Sequence, residues 1–154
     1  MSRPRVSRLL SLVLCVLLPG CAAKKVTAPP TGFEHAVVTA ACSPTDGPAI
    51  AIYLAGSPID SLEPAPPYIR LGIWQAEDQI LAQDWPVTGA GAAAEAWYYK
   101  SASAPEAATA GAIHITDINV DSSVDGSVNL TFPTAGAVSG TYKATWLSRQ
   151  VACQ

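Results

Sequence analysis

Histidine is almost absent from this sequence, with His35 and His114 the only two among 154 residues. A zinc site draws on three or four His, Cys or carboxylate ligands at regular spacing, and neither histidine has such neighbours along the chain. Also missing are a Gly-x-Ser-x-Gly elbow, a His-Glu-x-x-His pair and a glycine-rich phosphate loop. The common routes to nucleophilic, metal-assisted and nucleotide chemistry therefore have no visible carrier. Carboxylate pairs do occur, Asp60 with Glu63 and Glu77 with Asp78, but glycoside hydrolysis depends on a separation through space that sequence spacing does not fix. No catalytic residue, metal ligand or cofactor is expected, and the domain reads as non-enzymatic.

Helical periodicity is the second absence. No segment repeats apolar residues at helical spacing, and the one Ala-rich stretch, Gly89 to Ala96, is interrupted by Gly91 and runs into Trp97-Tyr98-Tyr99. That reads as a loop entering a strand. Cations are scarce as well: beyond the first 20 residues, six Lys and Arg stand against twelve Asp and Glu, a formal charge near −6. Nucleic acid is a poor partner for such a chain, because phosphate binding needs clustered basic side chains.

What is present is a series of short alternating runs separated by Gly, Pro, Asp and Ser. Candidate strands are His35 to Cys42, Ala49 to Ala55, Tyr68 to Trp74, Gln79 to Trp85, Ala96 to Lys100 and Ala112 to Ile118, then two near the C-terminus. In the first of these two, Val128, Leu130 and Phe132 alternate with Ser127, Asn129 and Thr131. In the second, Tyr142, Ala144 and Trp146 alternate with Thr141, Lys143 and Thr145. About seven or eight strands without helices imply an all-β fold, a single antiparallel β-sandwich of immunoglobulin-like or jelly-roll-like type over residues 34–154.

The chain opens with Arg3, Arg5 and Arg8, an apolar run from Leu9 to Leu18, and Pro19-Gly20-Cys21. The run is too short to span a bilayer, which takes roughly 20 apolar residues; a basic start, a short apolar core and a small residue before the cut make a removable export signal over residues 1–20. The ending Leu18-Pro19-Gly20-Cys21 resembles the lipobox of bacterial lipoprotein precursors, with Pro19 where Ala, Ser or Thr is commoner. The resemblance implies that Cys21 is acylated and becomes the first residue of a cell-envelope protein whose partner is the membrane. Ala22, rather than Asp, after that cysteine implies the outer membrane in bacteria that have one. Residues 21–33, with Pro29-Pro30, Gly32 and two lysines, then read as the anchor and a flexible tether.

With Cys15 removed and Cys21 acylated, Cys42 and Cys153 are left to pair in the exported domain. A bridge closing so long a loop contributes on the order of 4 kcal/mol. The C-terminal run, Val138-Ser139-Gly140 followed by Thr141-Tyr142-Lys143-Ala144-Thr145-Trp146, is similar to that of strand-rich bacterial lipoproteins and implies no activity.

Two features carry ligand chemistry. In "DINVDSSVDG", Asp117, Asn119 and Asp121 alternate, as oxygen ligands of a calcium loop do. An EF-hand loop, however, needs Gly at its sixth position and Glu at its twelfth, and here those are Ser122 and Val128. A looser calcium site in a β-loop is one reading, and a solvated hairpin edge whose charges discourage edge-to-edge pairing is the other. Val124-Asp125-Gly126 recurs 14 residues later as Val138-Ser139-Gly140, so it reads as the turn entering a strand. The second feature is aromatic: Trp97 and Tyr99 share one strand face while Trp74 and Tyr68 lie opposite the apolar face of theirs. Such rings either form a glycan-binding face or cover the core. The sequence thus describes a lipid-anchored binding or structural module, alternatively a carbohydrate- or calcium-binding adhesion module, and third a small hydrolase.

Overall fold

A computed structural model of the chain describes residues 33–62, 64–89, 92–120, 122–148 and 153. Cys21, Glu63 and Asp121 lie outside the described residues. The fold is all-β, with no α-helix among the described residues. Nine strands follow in order: β1 (His35–Cys42), β2 (Pro48–Ala55), β3 (Tyr68–Ile73), β4 (Asp84–Pro86), β5 (Ala94–Tyr99), β6 (Pro105–Ala107), β7 (Ala110–Asn119), β8 (Ser123–Phe132) and β9 (Gly136–Ser148). They form one sheet in the order β4-β7-β8-β9-β1-β2-β3-β5-β6.

The sheet is mixed where an antiparallel one is expected: β1 runs parallel to β9, and every other neighbouring pair is antiparallel. The reason lies in the covalent chemistry at the strand ends. Cys42, the last residue of β1, is bonded to Cys153, a few residues past the end of β9, with Cα atoms 5.6 Å apart. A disulfide needs Cα atoms within about 7 Å. Two strands whose C-terminal ends are held that close lie side by side only if they point the same way.

The inner face follows the expected alternation. Val38 of β1, Ile50, Ile52 and Leu54 of β2, and Ile69, Leu71 and Ile73 of β3 are each at most 1% exposed. Ala94, Ala96 and Tyr98 of β5 continue this layer. On the other side of the β1–β9 seam, Ile113 and Ile115 of β7, Val124, Val128, Leu130 and Phe132 of β8, and Val138, Tyr142 and Ala144 of β9 join the same core. Side chains from the two sides of the seam touch within this core, with the Tyr98 and Phe132 rings 5.9 Å apart. The edge strand β6 is fastened to the β8–β9 turn, where the Glu106 carboxylate accepts hydrogen bonds from the Thr134 backbone and hydroxyl and from the Ala135 N–H. Phe33 closes the core against Gly140, where any Cβ would stand 2.8 Å from its ring.

Three local expectations need correction. Gln79 to Trp85 does not form a strand: a 3-10 turn occupies Glu77–Gln79, and only the end of the segment pairs, as β4. The run has too few alternating apolar residues to bury one face, and only Ile80 and Trp85 reach the core. Asp125-Gly126 is not a turn. The β7–β8 turn lies earlier, closed by the Ser122 N–H on the Asn119 carbonyl, and Asp125 and Gly126 sit inside β8. Val138-Ser139-Gly140 likewise lies inside β9, after a turn at residues 133–135. The repeated glycine serves close approach: a Cβ on Gly126 would stand 2.2 Å from the His114 carbonyl oxygen and 2.7 Å from the Tyr142 hydroxyl, which is the role glycine takes inside strands.

Candidate functional site

The site builds on the outer face of β2, β3 and β5. Because side chains alternate across a strand, the residues between the core positions of these three strands line up in rows. One row is Tyr53, Arg70 and Trp97; the next, toward one end of the sheet, is Ala55, Tyr68 and Tyr99; the next in the other direction is Ala51, Gly72 and Glu95. The Tyr68 and Tyr99 rings stack at 4.6 Å with planes 9° apart, and Tyr53 meets Tyr68 at 6.0 Å in a tilted contact. Three tyrosines from three strands thus form one aromatic floor.

Arg70 stands in that floor. Its Nη1 donates to Glu95 Oε1 at 2.7 Å, and both side chains are 24% exposed. Burial pulls the guanidinium toward the neutral form, but the hydrogen bond and charge of Glu95, with a smaller contribution from Tyr53, outweigh it and leave Arg70 more basic than usual. The cation is therefore fixed and already compensated. Gly72 makes this pairing possible: a Cβ there would come within 2.9 Å of Glu95 Cγ, in the space Glu95 uses to reach diagonally to Arg70.

Above the floor, the proline-rich loop from β2 to β3 supplies a wall. Pro64 is buried, Pro66 is joined to Pro67 by a cis peptide bond, and Leu62 is half exposed at the rim. Ala102, after β5, closes another side. Together with the tyrosines and Arg70 they enclose an open cleft of about 580 Å³. Its donors and acceptors are phenol hydroxyls and the Arg70 guanidinium, whose charge Glu95 offsets from beside the cleft, and these suit hydrogen bonding and ring stacking rather than proton transfer.

The other candidates fall elsewhere. Trp97 and Tyr99 do share the outer face, Trp97 half-buried beside Arg70 in register. Trp74 does not join them: it follows the other end of β3, where its N–H bonds the Ala93 carbonyl. His114 lies exposed on β7, paired with the Asp84 carboxylate across the β4 edge. His35 lies at the start of β1 in a smaller depression of about 310 Å³ that also takes in Glu34 and Lys143. Asp117 and Asn119 are exposed on β7, past the three residues that β4 covers, and Asp117 stands in register with Asp125, whose carboxylate is taken by Lys143 at 3.0 Å. Among the described residues no three His, Cys, Asp or Glu side chains gather as a metal site would require. Asp60 is exposed in the proline-rich loop, and Asp78 is exposed in the 3-10 turn.

Sequence reasoning missed Tyr53, Arg70 and Glu95. The available signal was a charged residue at the centre of an otherwise apolar strand, with a glycine two residues on, since glycine inside a strand marks close approach by a neighbour. Comparisons of the chain with protein-family models, with curated proteins and with solved structures find no match.

Proposed function

We propose that the protein is a lipid-anchored cell-envelope protein whose β-domain is a non-enzymatic binding module, with the cleft over β2, β3 and β5 as its binding surface. The observation that carries this reading is the cleft itself: an aromatic floor around a compensated cation, recessed under a proline wall. Ligand sites are typically concave, mostly apolar and furnished with a few fixed polar groups. We further propose that the fold is a β-sandwich formed by one sheet folded on itself, a reading supported by the contact between Tyr98 and Phe132.

The membrane part rests on the lipobox-like ending at Cys21. The register gives it a spatial consequence. His35 stands opposite Ala55, Ala55 opposite Tyr68 and Tyr68 opposite Tyr99, so the cleft lies at the end of the sheet where the chain enters from the tether. The segment between Cys21 and Phe33 reaches at most about 40 Å when fully extended. A ligand in the cleft is then met close to the membrane to which the protein is attached, the outer membrane in bacteria that have one.

The test of the anchor is metabolic labelling with palmitate in a bacterial host, followed by separation of membranes. Wild-type protein should carry label and sediment with membranes, and Cys21→Ser should do neither. Equal labelling of the two proteins would end the lipoprotein reading.

A further inference from the structure

Resting on the binding-module reading above, we propose that the cleft over β2, β3 and β5 is a saccharide site selective for neutral hexopyranose rings. The first argument is electrostatic. Arg70 is bonded to Glu95 at 2.7 Å, and both side chains are largely buried. An anionic ligand would have to compete with Glu95 for the guanidinium and would meet the like charge of that carboxylate, which is unfavourable. A neutral polyol makes no such demand. It uses the guanidinium N–H groups that Glu95 leaves over, since Arg carries five donors, and the phenol hydroxyls, which both donate and accept.

The second argument is the pairing of ring faces with that ion pair. A pyranose ring has an apolar face of C–H groups and a rim of hydroxyls. The C–H groups are weakly positive and pack on the electron-rich face of an aromatic ring. Tyr99 lines the cleft and is held flat by its stack on Tyr68 at 4.6 Å, so its orientation is set before a ligand arrives. Pro64, Pro66 and Leu62 offer further apolar surface on the opposite wall. The hydroxyl rim then meets Arg70 and the phenol hydroxyl of Tyr53, both of which line the cleft. The volume of about 580 Å³ falls in the range of about 300–1,000 Å³ usual for small-ligand sites.

A proline-rich peptide is the competing occupant of an aromatic cleft. Its extended backbone offers mainly carbonyl acceptors, which would engage Arg70 but leave the acceptor capacity of the phenol oxygens unused. A saccharide hydroxyl both donates and accepts, so it matches both the guanidinium N–H groups and the phenol hydroxyls that line the cleft. The neutral saccharide is the better fit on these grounds.

The experiment is amide shift mapping and calorimetry on the intact mature domain with three probe classes. These are neutral trisaccharides built on glucose, galactose, mannose and N-acetylglucosamine, then trigalacturonate as the anion, and a proline-rich decapeptide. At least one neutral trisaccharide should bind saturably, with shifts centred on Tyr53, Arg70 and Tyr99, and Tyr99→Ala should weaken it by about tenfold or more, as loss of an aromatic anchor does. Glu95→Gln keeps the side-chain shape but uncovers the charge of Arg70. It should reverse the preference, weakening the neutral ligand and raising trigalacturonate binding by about tenfold, the effect of freeing one buried charge. Melting curves confirm that each variant is folded, and the Glu95→Gln reversal keeps the test open if Tyr99→Ala is not. Tighter binding of trigalacturonate or of the peptide to the wild-type cleft would overturn the saccharide inference and leave the binding-module reading standing. Absence of any shift at the cleft with all three classes would overturn both.

Discussion

The two halves of the sheet, which meet where β1 runs beside β9, treat their outer faces differently. On β7, β8 and β9 most outer positions are polar and exposed: His114, Asp117, Asn129, Thr131, Ser139, Thr141, Lys143 and Thr145 alternate with the core. On β2, β3 and β5 the outer positions are Ala49, Ala51, Tyr53, Ala55, Tyr68, Arg70, Gly72, Glu95, Trp97 and Tyr99, and most are buried or half-buried. One half has a face made to meet water, the other a face made to be covered. An antiparallel sheet with one solvated face needs only alternation, so the departure from alternation is what sets the β2–β3–β5 half apart.

The sharpest way to break the comparison is to cut the covalent tie at the seam. Cys42 and Cys153 are 111 residues apart, and removing a bridge that closes so long a loop costs on the order of 4 kcal/mol. Cys42→Ser with Cys153→Ser should lower the urea midpoint accordingly with the slope little changed. Hydrogen exchange should then speed up first along the β1–β9 pair, and uniform loosening of both halves would show that the seam is not a special weak line.

Next in size is a pair of truncations, one on each face. Ile52 of β2 is fully buried, and Ile52→Ala should cost about 3 kcal/mol through lost transfer energy and the cavity left behind. Thr141→Ala on the exposed face of β9 should stay within about 0.5 kcal/mol. Comparable losses at the two sites by chemical denaturation would contradict the division into core and solvent faces.

The polar half was the legible one. Val128, Leu130 and Phe132 alternate with Ser127, Asn129 and Thr131, and period-two alternation reports a face directly. The pairing of Cys42 with Cys153 was legible too, on the expectation that the other two cysteines, Cys15 and Cys21, lie outside the exported domain. The site in the other half was only partly so. A strand buried on both faces shows little contrast between polar and apolar positions, so nothing in the local pattern singles out Tyr53 or Arg70 as part of a site. Their meaning depends on cross-strand register, Tyr53 to Arg70 to Trp97, which no local pattern encodes. The echo of Val124-Asp125-Gly126 in Val138-Ser139-Gly140 misled for a related reason: glycine supports both tight turns and close packing, and only the neighbours, Tyr142 and Phe33, decide which.

A smaller perturbation tests the cleft without a ligand. Gly72→Ala puts a Cβ within 2.9 Å of Glu95 Cγ, and the flexible carboxylate side chain is what must move. The ion pair with Arg70 should be lost at about 1 kcal/mol, modest because a quarter of each side chain still meets solvent and screens the pair. The loss should disappear in a Glu95→Ala background, where neither the Cγ nor the ion pair remains, giving a non-additive cycle. Additive losses would mean that Gly72 is required for some reason other than the path of Glu95.

The smallest effect at neutral pH belongs to Tyr142, a polar atom inside the core of the otherwise water-facing half. Its hydroxyl is buried and finds no hydrogen-bond partner among the described residues. Burial, reinforced by the negative charge of Asp125, pushes its pKa well above the usual phenol value. A group with a raised folded pKa contributes fully below its unfolded pKa, about 10 for tyrosine, and that contribution declines as pH rises from there toward the folded value. In that window the unfolded chain has released a proton that the folded one still holds, so stability falls with rising pH. Tyr142→Phe removes an unsatisfied hydroxyl while keeping the ring that fills the space opposite Gly126. At pH 7 it should therefore be neutral or stabilising by up to about 1 kcal/mol, and above pH 10 its stability should fall less steeply than that of the wild type. Denaturant titrations at pH 7 and across pH 9 to 11 read both effects. A clear destabilisation at pH 7 would mean that the hydroxyl is bonded after all, and that the core of this half is as specifically polar as its surface.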